Sequence, residues 1–215
     1  MNIGIFDSGS GGRFVAAKLS KILPNHNYRV IDDRAHAPYG ERSYDDIRQL
    51  TFTAIQPLLD CDIIALACNT ATAAAINDLR SAYPDKIFVG FEPMIKPAAA
   101  RSVSRHITLL ATKATAYSKR TEELIDLYAS DLTIDRIGTI DWARKIDSNE
   151  TDKITLDVVA ESVKNNSDTI IIGCTHYIAL MPRLEKLFPD VTILEPTEAI
   201  ARHIESLVIA HQLQQ

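Results

Sequence analysis

The chain has 215 residues, with 23 Lys and Arg against 28 Asp and Glu, a formal net charge of −5, and 46% hydrophobic and 24% charged residues. This is the balance of a globular protein that can bury a core, and its acidic sign with scattered basic residues argues against a nucleic-acid partner. No apolar run approaches the roughly 18 residues of a membrane helix, the opening Met-Asn-Ile-Gly-Ile-Phe-Asp lacks the basic start and apolar block of a signal peptide, and three widely spaced cysteines read as reduced thiols in a cytoplasmic protein.

In chain order, a short apolar run at residues 3–6 predicts a strand, followed by the Gly-rich turn Asp7-Ser-Gly-Ser-Gly-Gly12 and a helical pattern over 14–22. Helical patterns follow over 43–59 and 71–83, flanking a predicted strand at 63–67, and a further strand falls at 87–89. The same alternation then continues: strand 107–111, helix 119–128, helix 154–164, strand 169–172, helix 178–188, strand 191–194 and a last helix over 200–213. Strands alternating with helices predict an α/β fold with parallel sheets covered on both faces.

The chain also repeats itself. Asp62-Ile-Ile-Ala-Leu-Ala-Cys68-Asn-Thr70 resembles Asp168-Thr-Ile-Ile-Ile-Gly-Cys174-Thr-His176, Ile3 to Asp7 resembles Thr108 to Thr112, and Val89-Gly-Phe-Glu92-Pro93 resembles Ile193-Leu-Glu195-Pro196. The three matches share nearly one offset. They predict two pseudo-symmetric α/β halves, residues 1–95 and 96–197, with the C-terminal helix in 198–215 packed back on the first. Asp7, Cys68, Thr112 and Cys174 each follow a predicted strand, at the carboxyl edge where open α/β sheets bind ligands. If the halves face each other, both cysteines reach one ligand in the cleft between them.

Inverting a carbon needs a base on one face and an acid on the other, and two equivalent thiols supply both. A thiol's ordinary pKa of about 8.5 can be brought near neutrality by its surroundings. Each cysteine opens the turn before a helix, where N–H groups favour a thiolate. Asp7 and His176 are candidate proton handlers for Cys68 and Cys174. An isolated buried cysteine is commonly a small hydrophobe, as Cys61 is expected to be, but a matched pair at repeat-equivalent positions is not. The Gly-rich turn fails both the G-x-G-x-x-G and the P-loop patterns, so a small carboxylate suits it better than a nucleotide. Asn69, Thr70 and Thr175 are placed to clamp a carboxylate, or to serve as ordinary helix caps. Pro38-Tyr39-Gly40 is a turn signal. No second pair accompanies Cys174 and His176 at zinc-like spacing, so no metal is expected, and a Cys-His hydrolase leaves Cys68 without a role.

Several of these segments, taken in order, match one family. Gly4-Ile-Phe-Asp-Ser-Gly-Ser-Gly-Gly12, Asp33-Arg-Ala-His-Ala-Pro-Tyr-Gly40, Ala67-Cys-Asn-Thr-Ala71, Gly90-Phe-Glu-Pro93, Thr112-Lys-Ala-Thr115 with Ser118, and Gly173-Cys-Thr-His-Tyr177 together make the chain resemble the glutamate racemases of the aspartate/glutamate racemase superfamily. The resemblance implies two flavodoxin-like halves and Cys68 and Cys174 as acid/base thiols, assisted by Asp7 and His176. It implies substrate contacts from Ser8, Pro38, Tyr39, Gly40, Asn69, Thr70, Thr115 and Thr175. It further implies no cofactor, a homodimer, and D-glutamate supplied for peptidoglycan. The family also carries a Pro-Leu-Val-Glu-like stretch whose Glu helps hold the substrate ammonium. The corresponding region here reads Ile140-Asp-Trp-Ala-Arg-Lys-Ile-Asp147-Ser-Asn-Glu150, leaving Asp147 or Glu150 to stand in. Two alternatives stay open: a racemase of another small acid such as aspartate, and a binding protein that keeps the site without turnover.

Overall fold

A computed structural model describes residues 1–212, and the end of the predicted last helix at Leu213 lies outside them. The chain divides into two compact units, Met1–Phe91 joined by the segment from Pro196 onward, and Glu92–Glu195.

The first unit runs β1 (Asn2–Asp7), α1 (Gly11–Ile22), β2 (Asn27–Asp32), α2 (Tyr44–Ala54), β3 (Ile63–Leu66), α3 (Asn69–Ala82) and β4 (Ile87–Gly90). Its strands form a parallel sheet in the order β2-β1-β3-β4. The second runs α4 (Ile95–Arg101), β5 (His106–Thr112), α5 (Lys113–Ala116), α6 (Lys119–Tyr128), β6 (Thr133–Thr139), α7 (Trp142–Asp147), α8 (Asp157–Lys164), β7 (Thr169–Ile172), α9 (Met181–Leu187) and β8 (Thr192–Leu194). Its sheet has the order β6-β5-β7-β8, again all parallel. The two orders are the same, as the sequence repeat predicts. The final helix, α10 (Thr197–Gln212), returns to pack against α1.

The central strands are nearly all apolar because helices cover both faces. Alternate residues of the second sheet enter opposite cores: Leu110, Ile170 and Ile172 join Trp142, Val159 and Leu184, while Leu109, Ala111 and Ile171 join Ile95, Leu124 and Leu194. In the first unit Phe6, Ile64 and Leu66 pack with Ile47, Leu58, Cys61 and Leu79. Cys61 is thus a core residue, and burial raises its thiol pKa.

Several elements differ from the periodicity. β2 and β6 do not read as apolar runs, because they are edge strands whose residues remain half-exposed. The pattern over 43–59 breaks into α2, capped by the Ser43 hydroxyl on Asp46 N–H, and a 3-10 turn at Gln56–Leu58, where Pro57 cannot continue the ladder. The pattern over 178–188 is a 3-10 helix, Thr175–Leu180, followed by α9, whose first turn holds Pro182. α4, α5 and α7 are seven, four and six residues long, too short for a clear 3.6-residue pattern.

Candidate active site

In each unit the parallel sheet brings the carboxyl ends of its two central strands together, and the residues singled out in the sequence stand there. In the first unit β1 ends in Asp7 and β3 is followed by Cys68, with Ala67 N–H donating to the Phe6 carbonyl at 2.8 Å to carry the pairing to the strand end. Cys68 is the N-cap of α3, and its sulfur accepts from Ala71 N–H at 3.4 Å. Ser8 Oγ lies 3.1 Å from the same sulfur. Asp7, wholly buried, accepts from Gly9 N–H at 2.8 Å. Gly12 is needed beside it: a Cβ there would stand 2.7 Å from the Asp7 Cβ and 3.2 Å from Asp32 Oδ1.

The Pro38-Tyr39-Gly40 turn joins this group. The Ala37–Pro38 bond is cis, and Tyr39 begins a 3-10 turn with its side chain buried. Its hydroxyl donates to Asp33 Oδ2 at 2.6 Å, and its ring lies 6.2 Å from that of Phe6. Burial, then the bond to Asp33, drive the Tyr39 pKa well above the ordinary phenol value, so this hydroxyl stays protonated. Asp33 is a residue whose role the sequence reading passed over, although it stands within the quoted motif.

Thr70 and Asn69 open α3 and are buried. Both the amide nitrogen and the amide oxygen of Asn69 are buried without a hydrogen-bond partner. An unpaired buried amide is costly. Immediately after Cys68 it has the chemistry to receive a carboxylate or an ammonium.

In the second unit Gly173 N–H donates to the Leu110 carbonyl at 2.8 Å, aligning the ends of β5 and β7. Cys174 occupies the N-cap position of the 3-10 helix Thr175–Leu180 without a side-chain capping bond, and is buried. His176 Nδ1 lies 3.8 Å from its sulfur, and His176 Nε2 lies 3.1 Å from Asp147 Oδ2. Tyr177 is buried beneath, its ring 5.7 Å from that of Trp142 and its hydroxyl bonded to Thr139. Burial, and then the Cys174 charge, push the Tyr177 phenol above its usual range. Thr175 begins the 3-10 helix, and Thr115 is buried after β5, where Thr112 Oγ1 accepts from Thr115 N–H at 3.3 Å. Of the two acidic candidates near α7, Asp147 meets the His176 ring, while Glu150 pairs with Lys153 at 2.5 Å. Among the described residues no cluster of three or more His, Cys, Asp or Glu could hold a metal ion, and no helix is long and apolar enough to cross a membrane.

These are two like parallel α/β units, and in each a buried cysteine follows a central strand at the start of a helical turn, with the Ser8 hydroxyl beside Cys68 and the His176 ring beside Cys174. The chain belongs to the Asp/Glu/hydantoin racemase family, whose pattern matches residues 13–204. It is 37% identical over 219 residues to a glutamate racemase of Ectopseudomonas mendocina, covering 98% of this chain and 83% of the relative. Among solved structures, Escherichia coli glutamate racemase in complex with L-glutamate and the activator UDP-MurNAc-Ala superposes with a TM-score of 0.84 at 29% identity, covering 96% of this chain and 81% of that one. The RacE1 isoform of glutamate racemase from Bacillus anthracis superposes with a TM-score of 0.78 at 28% identity, covering 98% and 82%.

Proposed function

We propose that this protein interconverts L- and D-glutamate without a cofactor, using Cys68 and Cys174 as its two acid/base groups. One observation carries the reading: a buried cysteine at the same strand end of two like sheets, each with a side chain able to handle a proton or a charge. The glutamate racemases at 37% identity support glutamate as the substrate.

In the proposed reaction one cysteine, as thiolate, removes the α-proton, breaking the C–H bond and leaving its electron pair on the α-carbon. The other, as thiol, delivers its proton to the opposite face. The product is the mirror image, and the two sulfurs have exchanged protonation states, which readies the site for the reverse direction. The Ser8 hydroxyl and the Ala71 N–H stabilise the anionic form of Cys68. His176 does so for Cys174, with Asp7 assisting in the first unit. Asn69, Thr70, Thr115 and Thr175 bind the substrate's charged groups together with Ser8 and the Pro38-Tyr39-Gly40 turn. The unpaired Asn69 amide supports this assignment, since a substrate would satisfy it.

The same reading makes the protein a cytoplasmic homodimer that supplies D-glutamate for peptidoglycan. Light scattering tests the dimer. A substrate panel of both enantiomers of glutamate and of aspartate tests the substrate: turnover of aspartate alone would keep the chemistry and reject glutamate. Binding of a small acid without turnover would reject the racemase reading.

A further inference from the structure

In the second unit the His176 ring stands between two side chains. His176 presents Nδ1 to the Cys174 sulfur at 3.8 Å and Nε2 to Asp147 Oδ2 at 3.1 Å. The His176 side chain is only 6% exposed and that of Asp147 29%, so the ring is withdrawn from solvent while the carboxylate is partly exposed. A carboxylate accepts hydrogen bonds and cannot donate when ionised. The ring nitrogen facing it therefore carries the proton, which leaves the lone pair of the neutral ring on Nδ1, facing the thiol.

The arrangement is held by packing. Trp142 begins α7 and Asp147 ends it. The Trp142 ring lies against Tyr177, which follows His176 and is tied by its hydroxyl to Thr139. The other acids of this stretch face lysines: Asp141 pairs with Lys145 at 2.7 Å and Glu150 with Lys153 at 2.5 Å. Asp147 is the one set against the imidazole.

We propose that Asp147 is a positioning residue that acts through His176: it fixes the ring as the Nε2–H tautomer and stabilises the imidazolium that forms as Cys174 ionises. In that step the S–H bond breaks, its electron pair stays on sulfur, and the proton bonds to Nδ1. The positive ring then lies between thiolate and carboxylate. This differs from a role in holding the substrate ammonium. It also sets the two thiols in different surroundings, with the Ser8 hydroxyl and the Ala71 N–H at the Cys68 sulfur and the His176 ring at the Cys174 sulfur. The catalytic consequence rests on the racemase reading above; the ionisation of Cys174 does not.

Two measurements separate these. In a Cys61→Ser, Cys68→Ser background, alkylation of Cys174 by iodoacetamide is followed against pH. D147N is expected to move the rise in rate to higher pH, slowing alkylation near neutrality about tenfold, and D147E to recover part of the loss. With all cysteines present, D147N lowers kcat. Because enantiomers have equal free energy, kcat/KM must fall equally in both directions, so the asymmetry appears in the primary deuterium isotope effect. That effect rises only for the enantiomer whose α-hydrogen Cys174 removes. Lower activity with an unchanged alkylation profile and unchanged isotope effects would mean a packing role and overturn the proposal, as would unchanged activity. If the unmutated protein turns over no glutamate, the racemase reading fails and the alkylation profiles alone decide: a shift sustains the role of Asp147, and no shift overturns it.

Discussion

Ser8 Oγ stands 3.1 Å from the sulfur of Cys68, both buried, across a sequence gap that the parallel pairing of β1 with β3 closes. A hydroxyl there can donate to the thiolate, and hydrogen bonds to a charged group are worth about 1.5–3 kcal/mol. Ser8→Ala is therefore expected to lower kcat roughly 10- to 100-fold, with little change in melting temperature. Steady-state kinetics beside thermal unfolding would check this. Undiminished kcat would detach Ser8 from the thiol chemistry.

Asn69 predicts the opposite division between stability and activity. Its amide is buried with neither polar atom paired, so folding gains no hydrogen bond from it. Asn69→Ala should leave unfolding stability unchanged or raise it, while KM for glutamate rises about tenfold or more. A fall in stability with KM unaltered would make Asn69 a structural residue.

Gly90 ends β4 against α3. A Cβ there would meet Thr72 Cγ2 at 2.4 Å and Ile76 Cδ1 at 2.5 Å. Gly90→Ala is expected to destabilise the protein by about 1–3 kcal/mol through overpacking. The first unit should suffer while the chemistry of Cys174 in isolation does not. Denaturant unfolding with alkylation kinetics would measure both.

Asp168 immediately precedes β7 and supports acid sensitivity. Burial alone would raise its pKa, but the Ser104 and Val103 N–H groups, each donating to Oδ2 at 2.7 Å, and the Thr169 hydroxyl pull it down to about 2. A carboxyl depressed in the folded state stabilises the fold above its ordinary value of 3.8 and loses that contribution as pH falls toward 2. Asp168→Asn should therefore cost about 1–2 kcal/mol at neutral pH, the site being partly exposed. The difference from the unmutated protein should shrink as pH falls from 3.8 through about 2. A difference independent of pH would assign the cost to geometry instead of charge.

Much of this was legible in the sequence, for identifiable reasons. The strands β1, β3, β5 and β7 are buried on both faces, so Ile3 to Phe6, Ile63 to Leu66, Ile107 to Ala111 and Thr169 to Ile172 read as mostly apolar runs, broken only by Gly4, Thr108 and Thr169. The edge strands β2 and β6, with Arg29 and Arg136 turned to acidic partners, carry no such signal. The cysteines were visible because the repeat aligns them. Their neighbours were less so: Ser8 reaches Cys68 and Asp147 reaches His176 only through pairing and packing that spacing does not encode. The hold of Asp33 on Tyr39 likewise depends on how the chain turns at the cis Ala37–Pro38 bond.

The most direct test of the central claim is α-proton exchange in D2O, read by proton NMR with circular dichroism, for L- and D-glutamate and for the unmutated protein, Cys68→Ala and Cys174→Ala. Two thiols acting on one carbon predict exchange with inversion from either enantiomer in the unmutated protein and loss of inversion in each variant. Inversion that persists in either variant, or a folded and reduced protein that exchanges no glutamate proton, would contradict it.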